Sequence, residues 1–219
     1  MPLDLEEQEQ LDQFKAFWEK YRNLITAVVT TALFAYAGYS GYQWWRNSQA
    51  TQASQLYDTM MSAIGKGDKD QTLRAADDLQ KQFARTPYAS MSSLVAAKIA
   101  ADAGDASKAM EYLRWTAKNA SNPGYEALGK LRLATELIEQ GTEKDFAEAD
   151  AILKEKPIMG FEALWLERRG DWYLAQKKTA EAKTSYQEAW KTIDQAKEFP
   201  EEARRLLKVK LDAVGGVAQ

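Results

Sequence analysis

The sequence predicts an all-α protein: one transmembrane helix near the N-terminus, then a solenoid of about four stacked helix pairs, then a C-terminal capping helix. Three observations predict it. Ala, Leu, Glu, Lys and Gln are abundant, while Gly and Pro number only 12 and 5 in 219 residues, a usage that favours helix. No charged side chain lies between Arg22 and Arg46. Downstream, similar pieces recur at spacings near the roughly 34 residues of a helix-pair repeat.

The chain begins with an amphipathic segment, residues 1–22. Leu11, Phe14, Trp18 and Tyr21 fall at helical spacing, with Asp4, Glu6, Glu7, Glu9 and Asp12 upstream, where acidic side chains favour the positive end of a helix. A juxtamembrane anchor is the preferred reading, and contact with a cytosolic partner is the alternative.

Residues 23–46 form the predicted transmembrane helix. Leu24 to Trp45 would cover about 33 Å at 1.5 Å per residue, enough for a bilayer core. Tyr36, Tyr39, Tyr42, Trp44 and Trp45 lie toward one end and Trp18 and Tyr21 flank the other, as aromatic rings do at headgroup level. Lys15, Lys20 and Arg22 precede the segment, and only Arg46 follows it before Lys66, which predicts a cytoplasmic N-terminus. Gly38, Ser40 and Gly41 make a small-residue patch for close approach of another membrane helix; simple tolerance of glycine is the plainer account. Ala35-Tyr36-Ala37 could suggest a signal-peptide cleavage site, but the long acidic region before it and the length of the apolar run argue against cleavage. A buried helix of a soluble domain is disfavoured because no polar stripe interrupts the run.

From residue 47 to 219 the chain becomes polar and periodic. Four units are visible, anchored on Ala75 with Leu79, Ala109 with Leu113, Ala149 with Leu153, and Ala182 with Tyr186, at steps of 34, 40 and 33 residues. These are lengths of tetratricopeptide (TPR) type repeats. The longer step is read as an insertion in Gly141 to Phe146, in the turn within a pair, where extra residues cost least. Gly67-Asp68, Gly104-Asp105 and Gly141-Thr142 mark left-handed ends of first helices. Pro87, Pro123 and Pro157 are placed between pairs, each ending one helix and starting the next. In the last unit Gly170 and Ala182 would let two helices approach closely, with Tyr173 and Tyr186 filling the space around the crossing. Glu201 to Val214, closed by Gly215-Gly216, suits the terminal cap that a solenoid needs.

Solenoids bind along the surface lined by the first helix of each pair. Projection of the register gives a candidate protein-binding groove: Met91, Leu94, Lys98 and Asp102; Leu128, Leu131, Thr135 and Glu139; and Leu164, Glu167 and Asp171. Apolar anchors within a charged rim could hold a protein segment. For any single residue, ordinary repeat core is the competing account.

Several function classes find no support. Cysteine and histidine are both absent, which removes thiolate and imidazole chemistry and zinc ligation. The carboxylate pairs Asp77 and Asp78, Glu148 and Asp150, and Glu201 and Glu202 lack a pocket setting for acid/base work. Gly65-Lys66-Gly67-Asp68 is a turn, too short for a phosphate loop. Trp115, Trp165, Trp172 and Trp190 are assigned to packing. No catalytic residue, metal or cofactor is expected. With 29 basic and 32 acidic residues scattered along the chain and a net charge of -3, nucleic acid is not an expected partner.

The order of features resembles the YfgM family of bacterial inner-membrane proteins. The resemblance is carried by Tyr42-Gln43-Trp44-Trp45-Arg46 at the end of the membrane segment, by Ala96 to Leu133, by Gly170 to Ala189 and by RRLLKVKLDAV near the C-terminus. It implies an ancillary subunit of the SecYEG translocon whose repeat domain, 47–219, is periplasmic and links to the chaperone PpiD and to exported client proteins. It brings no catalytic residues and no residue-by-residue partner contacts. A structural adaptor for envelope assembly or division, with no export role, is the rival reading, and self-association stays open.

Overall fold

The computed structural model describes residues 5–195 and 200–216. Asp4, placed by the sequence in the acidic start of the first helix, lies outside them, as do the side chains of Glu6 and Glu7. Every regular element among the described residues is an α-helix, and the chain divides into two compact units, residues 1–49 and 50–219.

The first unit is made by α1 (Leu5–Gly65), which runs on as the opening helix of the second unit. Among the described residues α1 contains the one segment long and apolar enough to cross a membrane, and none of its apolar window is covered by protein. Leu24, Val28, Leu33 and Phe34 all face outward. That exposure is the reverse of a core helix in a soluble domain, whose apolar side chains would be buried. Polar side chains here close on the helix itself: Thr31 Oγ1 donates to the Ala27 carbonyl at 2.8 Å, and Gln43 Nε2 donates to the Tyr39 hydroxyl at 2.9 Å. Such internal satisfaction is what a hydrocarbon environment requires.

The second unit takes the end of α1 and adds α2 (Lys69–Gln82), α3 (Pro87–Asp102), α4 (Ala106–Asn119), α5 (Pro123–Gln140), α6 (Glu143–Leu153), α7 (Glu162–Ala175), α8 (Thr179–Gln195) and α9 (Glu201–Ala213). From α2 on, each helix packs on the next, while the first helices of successive pairs, α3, α5 and α7, also touch one another. That is the helix-pair solenoid expected from the sequence, closed by α9. The anchors Ala75, Ala109, Ala149 and Ala182 and their partners Leu79, Leu113, Leu153 and Tyr186 are all buried. One core extends from Ala53 and Met60 of α1 to Trp165 of α7, and a second joins α7, α8 and α9 through Ala182, Tyr186, Ile193, Leu207 and Leu211. Each fully buried leucine contributes roughly 1.5–3 kcal/mol. The four tryptophans pack in or against these cores.

The turn within each pair is the most regular feature. Gly67, Gly104, Gly141 and Lys177 all have positive φ, between 63° and 80°. After the first, second and fourth of these, the backbone N–H of Asp68, Asp105 or Lys178 donates to the carbonyl of the residue five positions back, closing the preceding helix as a left-handed cap does. Asp68, Asp105 and Thr142 then cap the following helix by accepting from the backbone of Gln71, Lys108 and Asp145, relieving donors that a helix start leaves free.

These turns correct the reading of the uneven repeat. Counted from the left-handed residue, successive pairs are 37, 37 and 36 residues apart. Nothing is inserted at Gly141 to Phe146, since Thr142 caps α6 directly and α6 begins at Glu143. The apparent 40-residue step arose because Ala109 and Ala182 stand one helical turn earlier in their helices than Ala75 and Ala149. Both positions are buried in every pair but the third, where half-buried Phe146 takes the earlier one. Pro87 and Pro123 open α3 and α5 at the first helical turn as expected. Pro157 does not open α7, which starts five residues later after a loop in which Gly160 adopts φ 91° and donates its N–H to Glu162 Oε2.

Candidate functional site

Aligned on the left-handed turn residue, the projected groove positions fall into four columns, at thirteen, ten, six and two residues before it. The outermost, Met91, Leu128 and Leu164, is half-buried, and Leu128 and Leu164 pack against the core. The second column is interior: Leu94 and Leu131 are only 5% and 7% exposed and belong to the core that joins successive pairs. They are therefore structural, not groove-lining. A first helix in this fold has to bury one side against its own pair and another against the next, which takes the second column into the interior.

Those remaining columns converge. Lys98 and Asp102 of α3, and Thr135 and Glu139 of α5, line a single cleft of about 570 Å³ beside the Gly104 turn. Its floor is apolar, built from Ala97 and Ala101 with Leu113 of α4. Two charged members lie one residue off the projected columns and were missed by the projection: Arg132 and Glu136. The signal that would have found them is their i, i+3 and i, i+4 spacing to Thr135, Glu136 and Glu139 on one face of α5.

Electrostatics within the cleft are uneven. Lys98 Nζ pairs with Asp102 Oδ1 at 2.5 Å, and both side chains are largely exposed, an arrangement that contributes little to stability. Among the described residues Arg132, Glu136 and Glu139 form no hydrogen bond or ion pair. Burial, and next the negative charge of Glu139, push the Glu136 carboxyl above the usual carboxylate range. A half-buried anion that makes no ion pair is a place where a cation would be welcome.

The last pair differs. Glu167 is 5% exposed, and Lys210 of α9 donates from Nζ to Glu167 Oε1 at 2.6 Å and to Asp171 Oδ2 at 2.8 Å. Arg168 Nη1 also donates to Asp171 Oδ2 at 2.6 Å, and the Tyr186 hydroxyl donates to Asp171 Oδ1 at 2.7 Å. Burial, then the bond to Asp171, raise the Tyr186 pKa. Glu167 and Asp171 thus hold the capping helix and are not free groove positions.

Elsewhere, polar contacts tie helices of different pairs together. Arg114 of α4 makes a two-pronged pair with Glu148 of α6, both contacts 2.8 Å, and the Tyr112 hydroxyl of α4 donates to Asp77 Oδ1 of α2 at 2.8 Å. The carboxylates Asp77 and Glu148 are thereby occupied. Along the apolar stretch of α1 a Cβ added at Gly38 or Gly41 would meet nothing within 4 Å. Among the described residues no group of three or more potential metal ligands comes together.

A family model described as a tetratricopeptide repeat-like domain matches residues 15–216. A protein of Neisseria gonorrhoeae named ancillary SecYEG translocon subunit is 31% identical over 215 residues, covering 98% of this chain and 100% of the relative. A protein of the same name in Aggregatibacter actinomycetemcomitans is 27% identical over 192 residues, covering 86% of this chain and 91% of the relative. No solved structure matches the chain significantly.

Proposed function

The chain belongs to the YfgM family, and from that membership we propose that it is a membrane-tethered adaptor of the SecYEG translocon, engaging the channel through its membrane helix and other proteins through its repeats. The end-to-end match to a relative of that name carries the reading, because it spans the anchor and the repeats together. The uncovered apolar surface of α1 supports the tether. Lys15, Lys20 and Arg22 ahead of the segment support a cytoplasmic N-terminus, and with it a periplasmic repeat domain, residues 47–219, on an inner-membrane protein.

There the repeat unit is available to newly exported chains and to a chaperone such as PpiD. Tethering beside the exit of the channel raises the effective concentration of such partners into a range where weak contacts suffice. No step in this role makes or breaks a covalent bond, in keeping with a helical-repeat interaction fold.

The test uses the tagged full-length chain in membranes, with a photo-crosslinking residue at Gly38 and purification after gentle solubilisation. Translocon subunits should be recovered in the crosslinked band, with PpiD in the uncrosslinked eluate. Recovery of envelope-assembly proteins without any translocon subunit would reject the export role in favour of a structural adaptor.

A further inference from the structure

The capping helix shows what a pair of carboxylates one turn apart on a first helix of this chain can accept. Glu167 and Asp171 stand on the first helix of the last pair, one turn apart, and between them lies the ammonium group of Lys210, carried by an amphipathic helix of the same chain. The counterparts of Glu167 and Asp171 in the third pair are Leu131 and Thr135, and the carboxylates of that pair stand nearer the turn. At the α3–α5 cleft, Asp102 already has Lys98, while Glu136 and Glu139, one turn apart on the next first helix, have nothing. The cleft has the volume for side chains, about 570 Å³, and its alanine and leucine floor suits the apolar face of a helix.

We infer that this cleft takes a lysine-bearing amphipathic helical segment of a partner protein, with the lysine seated between Glu136 and Glu139 as Lys210 is seated between Glu167 and Asp171. The inference deepens the adaptor reading and rests on it. Charge complementarity selects the partner: two carboxylates against the single guanidinium of Arg132 leave a net negative rim. A basic segment neutralises that rim, whereas an acidic one would be repelled by it. The apolar floor gives contact area, and the carboxylates fix the register of the incoming helix.

The probe is a fluorescein-labelled peptide with the sequence of residues 201–214, a lysine-bearing amphipathic helix that seats its ammonium group on a carboxylate pair within this chain, added to the full chain in nanodiscs of zwitterionic lipid. Fluorescence anisotropy should report saturable binding that weakens as salt is added. Changing the four basic residues of the peptide to Gln should weaken it about tenfold or more, and so should Glu136→Gln combined with Glu139→Gln in the protein. Glu188→Gln, an exposed acid on α8, should leave binding unchanged. A charge exchange guards against misfolding: Glu136→Lys with Glu139→Lys should bind a peptide whose basic residues are replaced by Glu. Absence of binding, equal binding by the neutral peptide, or equal binding by the Gln double variant would each overturn the assignment. Translocon subunits should still co-purify with the Gln double variant. Failed peptide binding with intact co-purification therefore refutes the cleft alone, and lost co-purification with intact binding refutes the export reading alone.

Discussion

Gly170 is where the solenoid leaves least room. A Cβ built there would lie 2.5 Å from Cδ1 and 2.9 Å from Cζ of Tyr186, with Cε1 closer still, whereas carbon atoms in contact prefer about 3.5–4.0 Å. Gly170→Ala must therefore drive the ring back by about 1 Å or more, yet the ring is fully buried and its hydroxyl is fixed to Asp171. Overpacking costs about 1–3 kcal/mol, and loosening a bond to a carboxylate costs up to about 1.5–3 kcal/mol more. Replacing a mid-helix glycine by alanine returns about 1 kcal/mol. The net expectation is a loss of about 2–4 kcal/mol, or roughly 5–12 °C in Tm for a unit of this size. Thermal unfolding of the detergent-solubilised full chain, followed by tryptophan fluorescence, measures it, because Trp165, Trp172 and Trp190 lie on the two helices that cross here. Gly38→Ala, with open space around it and outside the compact unit whose melting is followed, is the control and should leave that transition within about 1 °C of the parent. Adding Tyr186→Leu to Gly170→Ala should cost less than the two single changes combined, since the clash partner is gone. An unchanged or raised Tm for Gly170→Ala would refute the close crossing, as would strict additivity with Tyr186→Leu.

Lys177 holds the left-handed position that glycine fills in the other three pairs, so Lys177→Gly should stabilise the unit by about 0.5–1 kcal/mol in urea unfolding; a loss would contradict the strain. Lys210→Gln strips the buried Glu167 of its counter-charge and should cost about 2–4 kcal/mol, with hydrogen exchange quickening first in α9; exchange that quickens first in α3 would contradict the role of this pair in holding the cap. Glu136→Gln should stabilise by less than about 1 kcal/mol near neutral pH. The sign follows from linkage: a carboxyl with a raised folded pKa binds more protons folded than unfolded, so the parent loses stability as pH rises through that value. The gap between variant and parent should vanish in acid below the ordinary carboxylate range and be complete at neutral pH; a gap that persists in acid would point to packing instead. Neutralising Lys20 and Arg22 while adding lysines after Arg46 should invert or scramble the topology, which outward-facing reporter activity that stays unchanged would refute.

Much of the fold could be read in the residues because its determinants are local. Glycine before aspartate or threonine at 67, 104 and 141 announces left-handed turns, and proline at 87 and 123 announces helix starts. The fourth turn was hidden because Lys177 adopts a conformation that its residue type does not advertise. The repeat spacing was misread for a related reason: two alanine-bearing positions, one helical turn apart, are both buried in most pairs, and composition does not tell one from the other. The candidate site was half legible. Helical periodicity found the column positions Lys98, Asp102, Thr135 and Glu139 that meet in one cleft. It also placed Leu94 and Leu131 there, because burial against a neighbouring pair is a long-range property that a single helix does not display. That Glu167 and Asp171 are spoken for depended on Lys210, some 40 residues away, and no local pattern links them.

Carboxylate pairs on the first helices therefore meet different ends along the solenoid. In the last pair α9 supplies a lysine that compensates two carboxylates, one of them buried, that would otherwise weaken the fold. In the third pair Glu136 and Glu139, whose counterparts in the last pair are Trp172 and Ala175, stay without an ion pair, a cost that packing does not require, since a glutamine would fit the same space. With the cleft between α3 and α5 assigned as proposed, the sign of the charge left standing there fixes the sign of the segment it favours.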